Sequence, residues 1–160
     1  MIRFDRGINR FNYRVVGVAV HQNSVLLHQE EGEAFWTFPG GRPEFGEPSE
    51  QTLKREMKEE IGIEVEVVRL LWFVEHFFTY SEKHYHEIAL YFLMQLPAAC
   101  EYLRRIGPFP GREEDGSKLV FQWFPQEREA LSSLPLLPSF LQEAVLKLPD
   151  GIEHIVHRNV

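Results

Sequence analysis

The chain has 160 residues, 44% of them hydrophobic and 26% charged, which suits one packed globular domain and excludes a disordered chain. Its formal net charge is −7, with no basic run, so a surface built to grip a nucleic-acid backbone is disfavoured and no DNA binding is expected. Cys100 is the single cysteine and has no internal disulfide partner. The residues after Met1 do not read as a secretory leader, and no run reaches membrane-spanning length. A cytoplasmic protein without a membrane partner is the expectation.

Tyr13 to His21 reads as a buried strand, β-branched and flanked by polar residues. Gln22-Asn23-Ser24 turns it back into a second strand, Val25 to Gln29. Phe35 to Phe38 reads as a short aromatic strand ending in Pro39-Gly40-Gly41, a sharp loop where backbone can approach a ligand closely. Pro48 to Ile61 is the strongest helix: proline suits its first turn, Glu, Lys, Leu and Met fill it, and Gly62 stands where a left-handed residue ends it. Long strands follow from Glu64 to Phe78 and His84 to Leu96, around a turn at Ser81-Glu82-Lys83. Leu96 to Gly116 is loop-like, with Pro97, Pro108, Pro110 and three glycines. Lys118 to Phe124 is a strand, Pro138 to Leu148 a last helix, and Ile152 to His157 a closing strand. Hairpins beside helices predict an α/β domain over 1–160, an α/β/α sandwich around a mixed β-sheet.

Chemistry concentrates on the first helix. Glu56, Glu59 and Glu60 stand at i, i+3 and i+4, on one helical face. Leu53, Met57 and Ile61 form the apolar stripe beside them. Like charges at this spacing cost about 0.2–0.5 kcal/mol per pair. A hard divalent cation, which prefers carboxylate and carbonyl oxygens, reverses that sign. For a glutamate-rich helix taken alone, the plain alternative is a solvated acidic face.

Read outward, the segment is Gly41, five residues, Glu47, seven residues, then Arg55-Glu56-Met57-Lys58-Glu59-Glu60-Ile61-Gly62-Ile63. It resembles the Nudix box without departure, and seven fixed identities would coincide by chance on the order of once in 10⁸ to 10⁹ trials. The resemblance implies a Nudix-type fold and a pyrophosphohydrolase acting on a nucleoside diphosphate derivative, by metal-assisted attack of water. It implies that Glu56, Glu59 and Glu60, with the Gly40 carbonyl, hold Mg²⁺ or Mn²⁺. It also implies that Arg55 and Glu47 order the cluster, Gly41 gives the loop its turn and Gly62 ends the helix. A carboxylate must take the water's proton; Glu56 is the first choice, Glu87 the second and Glu114 the third.

Outside the box, Arg42 and Tyr80 are candidates for substrate contact. Family markers past the box favour nucleoside triphosphates or dinucleotide-type substrates, since Tyr80 lies 17 residues after Ile63 and no proline precedes it there. The aromatic and histidine cluster from Trp72 to His86 divides between core packing and base stacking. Three further readings stay open: a non-catalytic nucleotide sensor, hydrolysis of ADP-ribose or nucleotide sugars, and, disfavoured by charge, RNA decapping. A homodimer is compatible with the sequence.

Overall fold

In the computed structural model, which describes residues 1–159, two tight turns set the sheet. Gln22 and Asn23 have φ of 48 and 59°, and Ser81 and Glu82 have φ of 48 and 62°. Paired positive φ values give the hairpin turn whose twist matches that of its flanking strands. The elements are β1 (Arg3–Arg6), β2 (Asn9–His21), β3 (Ser24–Glu30), β4 (Gly40–Gly41), α1 (Ser49–Ile61), β5 (Glu66–Tyr80), β6 (Lys83–Gln95), β7 (Phe109–Arg112), β8 (Lys118–Pro125), α2 (Arg128–Ser132), α3 (Leu141–Ala144) and β9 (Glu153–Asn159).

The strands run in the order β7-β8-β3-β2-β6-β5-β9, with β1 and β4 also paired to β2. β2 lies parallel to β6, and β5 parallel to β9, while the remaining pairs are antiparallel. The sheet is mixed.

Alternation along β2 sends neighbours to opposite faces. Val15 and Ala19 pack with Leu53, Met57 and Ile61 of α1. Val16 and Val18 pack with Trp72, Leu131 of α2 and Leu141 of α3. Helices therefore cover both faces, and each fully buried aliphatic chain contributes about 1.5–3 kcal/mol. Gly17 sets the depth of α1, because a Cβ there would overlap Met94 and come within 2.9 Å of Leu53. Pro48 caps α1 with extended φ and ψ of −62 and 147°, and Gly62 closes it at φ 71°.

Several boundaries differ from expectation. Strand β1 and the start of β2 carry too many polar and charged residues to stand out, and β1 is exposed throughout. The proline- and glycine-rich stretch after Leu96 contains β7, an edge strand, where a proline is tolerated because no ladder donor is needed. The last helix is regular only over Leu141–Ala144, and α2 precedes it. Phe35 to Phe38 forms no continuous strand; Trp36 and Thr37 make single bridges to Leu136 and His28. No helix among the described residues is long and apolar enough to cross a membrane.

Candidate active site

Arg55 organises the exposed edge of α1. Its Nε and Nη2 donate to the two carboxylate oxygens of Glu47 at 2.8 and 3.0 Å. Its Nη1 reaches Glu56 Oε1 at 2.8 Å and Glu59 Oε2 at 3.4 Å, and Nη2 also donates to the Arg42 carbonyl at 3.0 Å. One guanidinium thus ties the helix to the loop before it, with the two-pronged geometry that favours arginine over lysine. The Arg55 hydrogen bonds hold the Glu47 carboxyl down at about 2, and Thr52 Oγ1 adds another at 2.7 Å.

The other box glutamates are held in the opposite sense. Burial raises Glu56 above the ordinary glutamate range, with Arg55 opposing only in part. Glu60 is 5% exposed, and its Oε2 has no hydrogen-bond partner. Burial first, and then the neighbouring Glu56, push it well above that range. Glu59 lies farther out, with 39% of its side chain exposed. Backbone crowds in beside them. A Cβ on Gly41 would overlap the Glu56 carboxyl carbon, and one on Gly40 would overlap the Val15 carbonyl oxygen. The glycines let a bare strand, β4, lie where the carboxylates meet.

With Glu56 and Glu59 drawn to Arg55, no three acidic, histidine or cysteine side chains among the described residues already stand at metal-ligand spacing. The donor set nevertheless suits a hard cation: oxygens only, a buried partnerless Glu60 Oε2, and a backbone stripped of side chains beside Glu56.

Glu56, Glu60, Gly40 and Gly41 line a cleft of about 410 Å³. Glu113, Glu114 and Asp115, from the loop after β7, share that lining, and Arg3, Arg14 and Arg42 face it. Burial, then Glu30, raises the Glu113 carboxyl. An acidic wall opposite arginines can hold cations on one side and phosphate oxygens on the other.

Arg14 and Arg42 also line a second pocket of about 350 Å³, walled by Phe35, Phe78, Tyr80 and Tyr85. Its polar members include Asn12, His76 and Glu87. Arg42 Nε donates to Asn12 Oδ1, and Asn12 Nδ2 donates to Glu87 Oε2 at 2.5 Å. Glu87 is 7% exposed. Burial opposes its ionisation, yet His76, Arg14 and Asn12 outweigh it and hold the carboxyl below the ordinary range.

Of the residues singled out from sequence, Glu47, Arg55, Glu56, Glu59 and Glu60 thus come together, with Gly40 and Gly41 against them. Glu87 lies in the aromatic pocket instead of the acidic cleft, and Glu114 lies in the cleft. Tyr80 is a half-exposed member of that pocket, and Trp72 is core. Asn12, Arg14 and Glu113 escape a motif-based reading. The first two had a signal: polar side chains at i and i+2 of a β-branched strand share one face, and their presence there needs a reason.

A family model described as the NUDIX domain matches residues 12–140. The chain belongs to the Nudix family. Members of this family generally work with divalent cations such as Mg²⁺ or Mn²⁺. An 8-oxo-dGTP diphosphatase of Proteus vulgaris is 54% identical over 44 residues, covering 28% of this chain and 39% of that protein. An RNA pyrophosphohydrolase of Pseudoalteromonas translucida is 34% identical over 68 residues, 41% of this chain and 40% of its own length. The chain thus spans about two fifths of the curated relatives it matches. The crystal structure of an ADP-ribose pyrophosphatase from Streptococcus suis superposes with a TM-score of 0.56 at 16% identity, over 90% of this chain and 97% of that one. At that identity the likeness speaks for the Nudix fold alone.

Proposed function

We propose that this Nudix protein hydrolyses the pyrophosphate linkage of a nucleoside diphosphate derivative, with nucleoside triphosphates or dinucleotide-type molecules as substrates. The observation that carries the reading is the two-part site: an acidic cleft and an aromatic pocket that share Arg14 and Arg42. A nucleotide spans such a pair naturally, its phosphates among the arginines and its base against the rings.

The Gly40 carbonyl, Glu56, Glu59 and Glu60 would hold Mg²⁺ or Mn²⁺, which supplies charge neutralisation and activation of water. Arg55 keeps Glu56 aimed into the cleft and Glu47 out of it. Glu56 takes the proton from the attacking water: a carboxylate raised by burial is a better base than an exposed one. Glu113 and Glu114 line the same cleft and rank behind it, and Glu87 belongs to recognition. Tyr80 and Arg42 contact the substrate.

The test is a panel of nucleoside triphosphates, dinucleoside polyphosphates, ADP-ribose and nucleoside monophosphates, incubated with Mg²⁺ or with chelator in ¹⁸O-water. A nucleoside monophosphate carrying or lacking solvent oxygen identifies the phosphorus attacked, and monophosphate substrates stay intact. Glu56→Gln should lower turnover by about 100-fold or more, while Glu114→Gln stays mild. Full activity in chelator would overturn the metal role. Tight nucleotide binding without turnover across the panel would establish a sensor.

A further inference from the structure

We propose that the aromatic pocket takes guanine in particular, and that the Glu87 carboxylate reads its paired N–H donors. The inference rests on the nucleotide reading above but concerns selectivity, not the reaction.

Glu87 is unusual among the acidic residues of this chain, being buried and yet held ionised beside aromatic rings. Asn12 satisfies one lone pair of Oε2. Oε1 lies 3.9 Å from His76 Nδ1, near enough for that ring to favour the ionised carboxyl but longer than a hydrogen bond. A carboxylate has about four acceptor sites and no donor, so acceptor capacity remains on a group that lines the pocket. An ionised carboxylate left so would be costly in a closed core; in a binding pocket it selects a donor.

The walls favour a flat ligand. Phe78 and Tyr85 are stacked at 4.6 Å and 14°, and Tyr80 stands edge-on to Tyr85 at 6.5 Å. Bases stack on such rings. Among them, guanine offers N1–H and the N2 amino group side by side, and a carboxylate can accept both in parallel. Adenine sets one amino group next to an acceptor nitrogen, which would face a carboxylate oxygen with no proton between. Like-signed lone pairs repel, so the same residue that favours guanine rejects adenine.

The position of the reader is fixed from the phosphate side. Arg42 lines both cavities and donates to Asn12, which in turn donates to Glu87. The carboxylate is thus aimed before any ligand arrives.

Equilibrium binding of mononucleotides to the full chain in chelator tests this without turnover. By calorimetry GMP should bind about tenfold or more tighter than IMP, which lacks the N2 amino group, as expected for one hydrogen bond to a charged acceptor. AMP should bind more weakly still, and dGMP about as well as GMP. In Glu87→Gln the GMP-to-IMP ratio should fall to about threefold or less; being a ratio, it is insensitive to the fraction of variant that folds. Equal binding of GMP and IMP by the native chain would overturn the inference, as would an unchanged ratio in the variant or no GMP binding at millimolar concentration. A preference for GMP over dGMP without base selectivity would assign Glu87 to the ribose hydroxyls instead. Pyrophosphate hydrolysis with indifferent base binding would remove this inference and leave the proposed reaction standing. Base selectivity without hydrolysis would do the reverse.

Discussion

Replacing Glu60 by glutamine should make the metal-free protein more stable and the metal-loaded protein less so. The native carboxylate is 5% exposed, has a partnerless oxygen and sits beside Glu56. An unsatisfied buried polar group costs about 1–3 kcal/mol, and a charged one more. Glutamine keeps an unsatisfied amide but neither carries a charge nor has to hold a proton that the unfolded chain has given up, so the gain in chelator at pH 8 should be at least about 1 kcal/mol, or about 2–4 °C in a domain this size. The gain must grow with pH. Folded Glu60 retains a proton that the unfolded chain releases near 4.5, so between that value and the raised one the native state binds more protons. Native stability therefore falls across that window as pH rises, whereas glutamine does not titrate. Mg²⁺ at 100 times its dissociation constant should add about 2.7 kcal/mol to the native protein, a shift of about 5–11 °C, and less than half of that to the variant. Scanning fluorimetry from pH 4 to 8, with chelator or Mg²⁺, reads all of this. A variant less stable than native in chelator at pH 8, or one keeping the full Mg²⁺ shift, would refute the reasoning.

Gly41→Ala puts a Cβ onto the Glu56 carboxyl carbon; turnover should drop by about tenfold or more, by analogy with small misplacements in catalytic geometry, and steady-state kinetics would show it as a loss in kcat. The Glu47–Arg55 pair should act at low pH. Glu47 is held at about 2 in the folded protein against 4.5 otherwise, so its contribution is complete above 4.5 and lost as pH falls toward 2; denaturant unfolding monitored by circular dichroism should show native stability falling with pH across that window, and Glu47→Gln should flatten that limb of the curve.

The box was legible because its chemistry is local. Four glutamates, an arginine and two glycines within one loop and helix declare their spacing, and the helix from Ser49 to Ile61 has caps that can be read from Pro48 and Gly62. The long hairpin strands were legible from their apolar runs and the turn between them. What stayed hidden was assembled by pairing across the chain. Asn12 and Glu87 meet because β2 and β6 run parallel in a register that places them side by side, and nothing in either segment alone specifies that register. The proline and glycines around β7 suggested a loop because those residues break central strands; at an edge they do not. Glu113 reaches the cleft through the loop that β7 anchors, and only the folded chain shows this.

Arg42 is held at both ends. Its main-chain oxygen receives Arg55, and its side chain holds Asn12. A substitution there cuts only the second connection, because every residue keeps its carbonyl. The acidic cleft and the aromatic pocket are thus joined twice at one residue, through its main chain to the helix and through its side chain to Asn12. A change at Asn12 would therefore disturb Glu87 while the Arg55 contacts stay in place, whereas a change at Arg42 would reach both cavities at once.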